Sequence, residues 1–271
     1  MKTSKPKVVD VARMAGVSTA TVSRVLNDPS VVSEATREAV LKAVKDTGYR
    51  VNRAARNLRT NTSRTVLALV PNLSNPFFSN ILSGLERELS AADYSLLVTD
   101  SGDVQLTADQ IQRYIAAGQA DGLVILDGSI DLNELQMVQS AVPPVPIVFA
   151  CEWVEGFSGP SVRADNEAGI RMLVQHLWQQ GHRRFGHVAG PDTNVLSHRR
   201  QNAFEQAVQD CGGEIQHGWM LPGDFSIAAG KEAAARVAAM RDGPTAWVCA
   251  RDPIAFGLIA GCLLYNSDGA A

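Results

Sequence analysis

Arg24 lies one helical turn beyond Ala20 and close to Thr19 and Ser23, a grouping of side chains that can address the edges of base pairs. A guanidinium donates two parallel hydrogen bonds to guanine O6 and N7, and the methyl groups of Thr19 and Ala20 suit a thymine methyl. Such readout needs a rigid, narrow element that fits a groove. Ser18 is a good N-cap, and residues from Thr19 to about Asn27 have helical spacing, with Val22, Val25 and Leu26 turned inward and Ala20 and Arg24 outward. Thr19 and Ser23 fall at the flanks of that outward face.

A second helix must brace the first. Val8, Val11, Ala12 and Ala15 recur at i, i+3, i+4 and i+7, and Gly16 supplies the left-handed stop that ends a short helix. Brace, tight turn and presenting helix together make a helix-turn-helix. Ser33 is placed to cap a third helix, about Glu34 to Thr47, whose Ala39, Val40, Ala43 and Val44 are expected to close a small core before Gly48. Charge points the same way. Residues 1–64 carry 13 Lys+Arg and 5 Asp+Glu, a net +8, whereas residues 65–271 carry 12 and 23, a net −11. A basic head on an acidic body fits a polyanion-binding module joined to a part that stays off polyanions.

Asp10-Val-Ala12, Ala15-Gly16-Val17-Ser18, Thr21-Val22-Ser23-Arg24-Val25-Leu26-Asn27, Val32-Ser33, Thr36-Arg37 and Gly48-Tyr49 resemble, in order and spacing, the N-terminal signature of the LacI/GalR repressors. The resemblance implies that Thr19, Ala20 and Arg24 sit where the family reads bases. It also implies a hinge helix at Asn52 to Arg59, with Asn52 as its cap, Leu58 as a wedge between central base pairs in the minor groove and Ala55 beside the wedge. Two turns are too short to be stable alone in water, and an apolar wedge unstacks bases in exchange for wider contact. Arg53, Arg56 and Arg59 supply phosphate partners. Val51 stands where the family usually has proline, so the start of the hinge is expected to be less rigid.

From Thr65 the periodicity changes. Short apolar runs (Val66–Val70, Ser95–Val98, Leu123–Leu126, Ile147–Phe149) alternate with amphipathic stretches. A second such series follows Asp165, through Phe185–Ala189 and Ala246–Ala250. Strands alternating with helices predict a parallel α/β sheet with right-handed crossovers. The expected organisation is a helical headpiece over 1–51, a hinge over 52–64 and a two-lobed ligand-binding and dimerisation domain over 65–271. Its lobes divide near residue 162. They resemble the family's type I periplasmic-binding fold, with ligand held between them at the carboxyl ends of strands.

The resemblance carries the family's cleft onto five residues. Phe77 and Phe78 follow the first strand and can cover a flat ligand; Arg200, beyond Gly190-Pro191, matches the arginine that grips the effector. Phe225 matches an aromatic that stacks on a base or sugar ring, and Asp252 matches a carboxylate that accepts ligand protons. Each has a plainer alternative: Phe77 and Phe78 as core, Arg200 as a surface cation, Phe225 as packing, Asp252 as a helix cap. Ser63-Arg64-Thr65, Pro76-Phe77-Phe78, Gly190-Pro191 and Gly223-Asp224-Phe225 look most like the family's nucleoside- and purine-responsive members, although sugar-responsive members share much of the pattern.

The resemblance therefore implies a homodimer on a pseudo-palindromic operator, regulated by a small molecule that changes the angle between the lobes, whether as inducer or co-repressor. No cofactor or metal is expected. Enzymatic motifs such as G-x-G-x-x-G, G-x-S-x-G and H-E-x-x-H are absent, and Gly230-Lys231 lacks the rest of a phosphate-binding loop. With no long apolar run and no secretory leader at Met1–Val9, a cytoplasmic protein is expected. Cys151, Cys211, Cys249 and Cys262 have no Cys-x-x-Cys pairing and are expected to be buried thiols. The resemblance fades after residue 264 into Asn266–Ala271, read as a polar tail, so the second lobe is expected to be truncated, with apolar faces left uncovered.

Overall fold

The computed structural model describes residues 6–49, 62–102, 107–141 and 144–268. The chain divides into two compact units, 1–63 and 64–271.

In the first unit three helices enclose one small core. Helix α1 spans Val8–Ala15 and stops at Gly16, whose φ of 68° is a left-handed conformation that costs glycine nothing. Helix α2 spans Thr19–Asn27, and the Ser18 hydroxyl accepts the Thr21 N–H at 3.1 Å, satisfying one of the free donors of its first turn. Helix α3 spans Glu34–Thr47 and also ends on a left-handed glycine, Gly48. Val11, Ala12, Val22, Val25, Val40 and Ala43 are buried together. Ala39, expected in this core, is exposed. Val40 and Ala43 set the inward face of α3, and a residue one step before Val40 is rotated by ~100° away from it.

In the second unit, strands β1 (Thr65–Val70), β2 (Ser95–Asp100), β3 (Gly122–Ile125), β4 (Ile147–Ala150) and β5 (Ser161–Val162) form a sheet in the order β2-β1-β3-β4-β5. Every pairing is parallel. Helices α4 (Pro76–Ala91), α5 (Ala108–Ala116) and α6 (Leu132–Gln139) connect the strands. Central β1 ends in four consecutive buried residues, as expected of a strand covered on both faces.

A second parallel sheet has the order β7-β6-β8, from β6 (Phe185–Val188), β7 (Met220–Leu221) and β8 (Ala246–Cys249). It is joined by α7 (Asn166–Gln179), α8 (Val195–Cys211), α9 (Ile227–Ala238) and α10 (Asp252–Asp268). Phe204, Ala207 and Val208 of α8 pack in the second lobe, but Leu196, at the start of the same helix, belongs to the apolar cluster of the first. The lobes thus share a packed seam as well as a cleft.

Gly230 lies within α9 where that helix crosses α10, and a Cβ there would meet the Ile254 carbonyl oxygen at 2.1 Å. One expectation changes here. Residues 266–268, read as tail, continue α10. The four cysteines are free thiols, each half-buried. Among the described residues no helix is long and apolar enough to cross a membrane.

Candidate functional site

Thr19, Ala20 and Arg24 are all exposed on α2, and Ser23 is half-buried beside them. The cap at Ser18 fixes where that helix begins, and so which side chains its first turn and a half presents. Asn52, Ala55 and Leu58 lie outside the described residues.

The second candidate site is the cleft at the carboxyl ends of the strands, the expected ligand position in open parallel sheets. Asn75 caps α4 by accepting the Phe77 N–H at 3.0 Å, and Phe77, 46% exposed, stands at the cleft. Phe78 goes elsewhere, into the core with Ala68, Val70 and Leu126. Successive helical residues diverge by ~100°, so this pair cannot both face a ligand.

Phe225 is half-buried and has a φ of 68°, a strained conformation for a non-glycine residue, of the kind that accumulates at functional sites. Gly190 makes room for its ring: a Cβ at that position would lie 2.0 Å from the ring edge. Arg200, on α8, donates from Nε to Asn166 Oδ1 at 2.8 Å and from Nη1 to the Ala250 carbonyl at 2.6 Å, tying three elements of the second lobe together. Asp252 is exposed in the first turn of α10, and its charge acts on Arg200.

Two charged residues that the sequence did not single out sit between these groups. Cys151 has a φ of 71° and Glu152 donates its N–H to the Ala150 carbonyl at 2.9 Å, a tight γ-turn that sends the Glu152 side chain inward. One carboxylate oxygen of Glu152 accepts from the Gly128 N–H and the Asn194 amide, both at 3.0 Å; the other lies 3.5 Å from Arg251. The guanidinium of Arg251 lies 5.0 Å from the Phe77 ring centroid and 4.4 Å from that of Phe225. Burial raises the Glu152 carboxyl above its usual range, opposed by those hydrogen bonds and by Arg251. Burial also lowers both arginines, and Arg200 is lowered further by the nearby charge of Arg251. Cys151 is raised, first by burial and then by the Glu152 charge. The sequence did offer a signal: Glu152 and Arg251 directly follow the carboxyl ends of β4 and β8 by two residues, where cleft residues belong.

Beside the cleft, an open pocket of about 210 Å³ is lined by Trp153, Arg163, Ala164, Asp165, Asn166, Glu167 and Arg199. Arg163 stacks on the Trp153 ring at 4.0 Å. Among the described residues no group of three His, Cys, Asp or Glu is arranged to hold a metal ion.

A helix-turn-helix followed by a two-lobed parallel α/β domain with a polar, aromatic-walled cleft defines a ligand-responsive DNA-binding regulator. Residues 7–52 match the bacterial regulatory proteins of the lacI family, and residues 63–268 match the periplasmic binding proteins and sugar binding domain of LacI family. The HTH-type transcriptional repressor CytR of Escherichia coli (strain K12) is 35% identical over 251 residues, covering 93% of this chain and 73% of that protein. The HTH-type transcriptional repressor PurR of Photobacterium profundum is 32% identical, with 93% of this chain and 75% of that protein covered. Among solved structures, the Lac repressor dimer bound to operator and the anti-inducer ONPF superposes with a TM-score of 0.83 at 25% identity, over 97% of this chain and 79% of that one. The transcriptional regulator CelR–cellobiose complex gives 0.66 at 28%, over 96% and 78%. The chain belongs to the lacI family of bacterial transcriptional regulators.

Proposed function

We propose that this chain is a repressor that reads operator DNA through Thr19, Ala20, Ser23 and Arg24. Its operator affinity is set by a small effector held near Phe77, Arg200, Phe225 and Asp252. The observation that carries the reading is the exposed, capped start of α2, with its three most exposed candidate side chains on one face above an independent core. Asn52, Ala55 and Leu58 are proposed to add minor-groove contacts. The protein acts in the cytoplasm as a homodimer on a pseudo-palindromic site; the dimeric form is in keeping with the Lac repressor dimer solved bound to operator. It carries out no catalysis. A nucleoside, a purine or a sugar is the proposed class of effector, the last in keeping with the cellobiose complex of CelR. Coupling between the sites is reciprocal: the ligand changes DNA affinity only by the ratio of its affinities for the two lobe arrangements.

The test is binding of the purified chain to genomic fragments at two salt concentrations, with and without cytidine, adenine, guanine and simple sugars. Site-specific binding altered by one ligand is the expected result. Weak, sequence-blind binding that salt abolishes, unaffected by any ligand, would show phosphate contacts only and contradict the proposal. Arg24→Ala is expected to lower affinity for the selected site by about 1–3 kcal/mol while leaving binding to random DNA much less affected.

A further inference from the structure

Arg251 crosses from one lobe to the other. It leaves the end of β8 in the second lobe, and its guanidinium lies between the ring of Phe77, from the first lobe, and that of Phe225, from the second. Its counter-ion, Glu152, comes from the first lobe. Both side chains are out of water, Arg251 at 11% exposure and Glu152 at 3%. The slot between the two aromatic rings is therefore filled by a flat group that belongs to the protein. That group is held imperfectly. Arg251 Nη2 is buried without a hydrogen-bond partner, and 3.5 Å from Glu152 is a charge contact rather than a good hydrogen bond. A buried guanidinium with an unmet donor is poorly compensated for its lost hydration.

We infer that Arg251 is an internal stand-in for the effector, and that a flat heterocycle with two adjacent N–H donors on one edge binds by displacing it from between Phe77 and Phe225 and pairing with Glu152. This inference rests on the cleft's being the effector site. A guanidinium presents two parallel N–H groups in a plane to a carboxylate. The N1–H and N2–H₂ edge of a guanine ring presents the same pair, with a face that stacks on phenylalanine as the guanidinium does. While Arg251 fills the slot, only the fraction of molecules in which it has swung out can bind, and the apparent affinity falls by that fraction. The same contact closes the lobes without ligand, so Arg251 sets both the ligand class and the resting state.

Calorimetric titration of the full chain, its R251A and R251Q variants, and each combined with E152Q, tests this with guanosine, inosine and glucose as probes. Inosine lacks the second donor, and glucose lacks the flat ring. R251A and R251Q are expected to bind guanosine at least about tenfold more tightly than the unmodified chain, because the competing group is gone. Adding E152Q should remove that gain, inosine should gain less, and glucose should not gain. Thermal melts of all variants establish that they are folded, and R251Q keeps the side-chain length if R251A proves unstable. Guanosine binding that is unchanged or weakened in both Arg251 variants overturns the inference, as does an equal gain for glucose or no binding of any probe. Introducing R200A into R251A separates the two readings: undiminished guanosine binding there would place the ligand outside the cleft and remove the effector-site assignment itself.

Discussion

His187 shows how strongly one side chain can tie stability to pH. It is fully buried in β6, stacked on Phe204 with ring centroids 4.9 Å apart. Neither ring nitrogen makes a well-formed hydrogen bond, the Val248 backbone being a weak partner at best. Burial pushes its pKa down from 6.5 to about 4, because the imidazolium loses its hydration there. A base lowered in the folded state favours folding only while it is neutral. Its contribution is fully present above pH 6.5 and is lost as the pH falls toward about 4, where the unfolded chain takes up the proton more readily. The gap corresponds to about 3 kcal/mol. Denaturant unfolding at neutral pH and near pH 4 should therefore show the unmodified chain losing about 3 kcal/mol more on acidification than H187F. Equal losses would rule out His187 as the source. Sequence order alone showed His187 next to Gly186 and Val188 in an apolar strand, but not the Phe204 ring that covers it.

At the scale of elements, two glycines in helices have opposite meanings. Gly257 lies in α10 where that helix crosses α9, and a Cβ there would sit 2.1 Å from the Ile227 carbonyl oxygen and 2.9 Å from the Gly230 Cα. Backbone cannot move aside as a flexible side chain does. Gly257→Ala should destabilise the second unit by about 1–3 kcal/mol, as overpacking does elsewhere. Gly84, within α4, has nothing within 4 Å of such a Cβ. Gly84→Ala should instead stabilise by about 0.5–1 kcal/mol, since alanine loses less backbone freedom in a helix. Thermal or denaturant midpoints of the two variants check both signs, and a stable G257A would contradict the close crossing. The contact between Gly230 and Gly257 was not legible in the sequence, because they are 27 residues apart and meet only through the fold. The short strands β5 and β7 were missed for a similar reason. Two residues carry no periodicity, and they are strands only because a neighbouring strand offers its hydrogen bonds.

For the molecule as a whole, α10 carries an exposed apolar face. Phe256, Ile259, Leu263 and Leu264 are all exposed, between 59% and 64%. The chain spans 73% of its CytR relative, and the second sheet has three strands against five in the first. An apolar face of this size draws other apolar surfaces. The chain should bind an apolar fluorescent dye and self-associate as concentration rises, and replacing Ile259 and Leu263 with lysine should reduce both. Low dye binding together with one sharp thermal transition would refute this. The sequence by itself determined what depends on near neighbours: the helix-turn-helix, because its caps, turns and apolar stripe all lie within a few dozen residues, and the alternation of strands and helices, because periodicity is local. Only the tertiary structure decided which aromatic faces the cleft, that Phe78 is core and Phe77 is not, and that Arg251 and Glu152 meet between the lobes. Those outcomes depend on helix rotation and on approach between residues 99 apart in the chain, which no local pattern of residue types encodes.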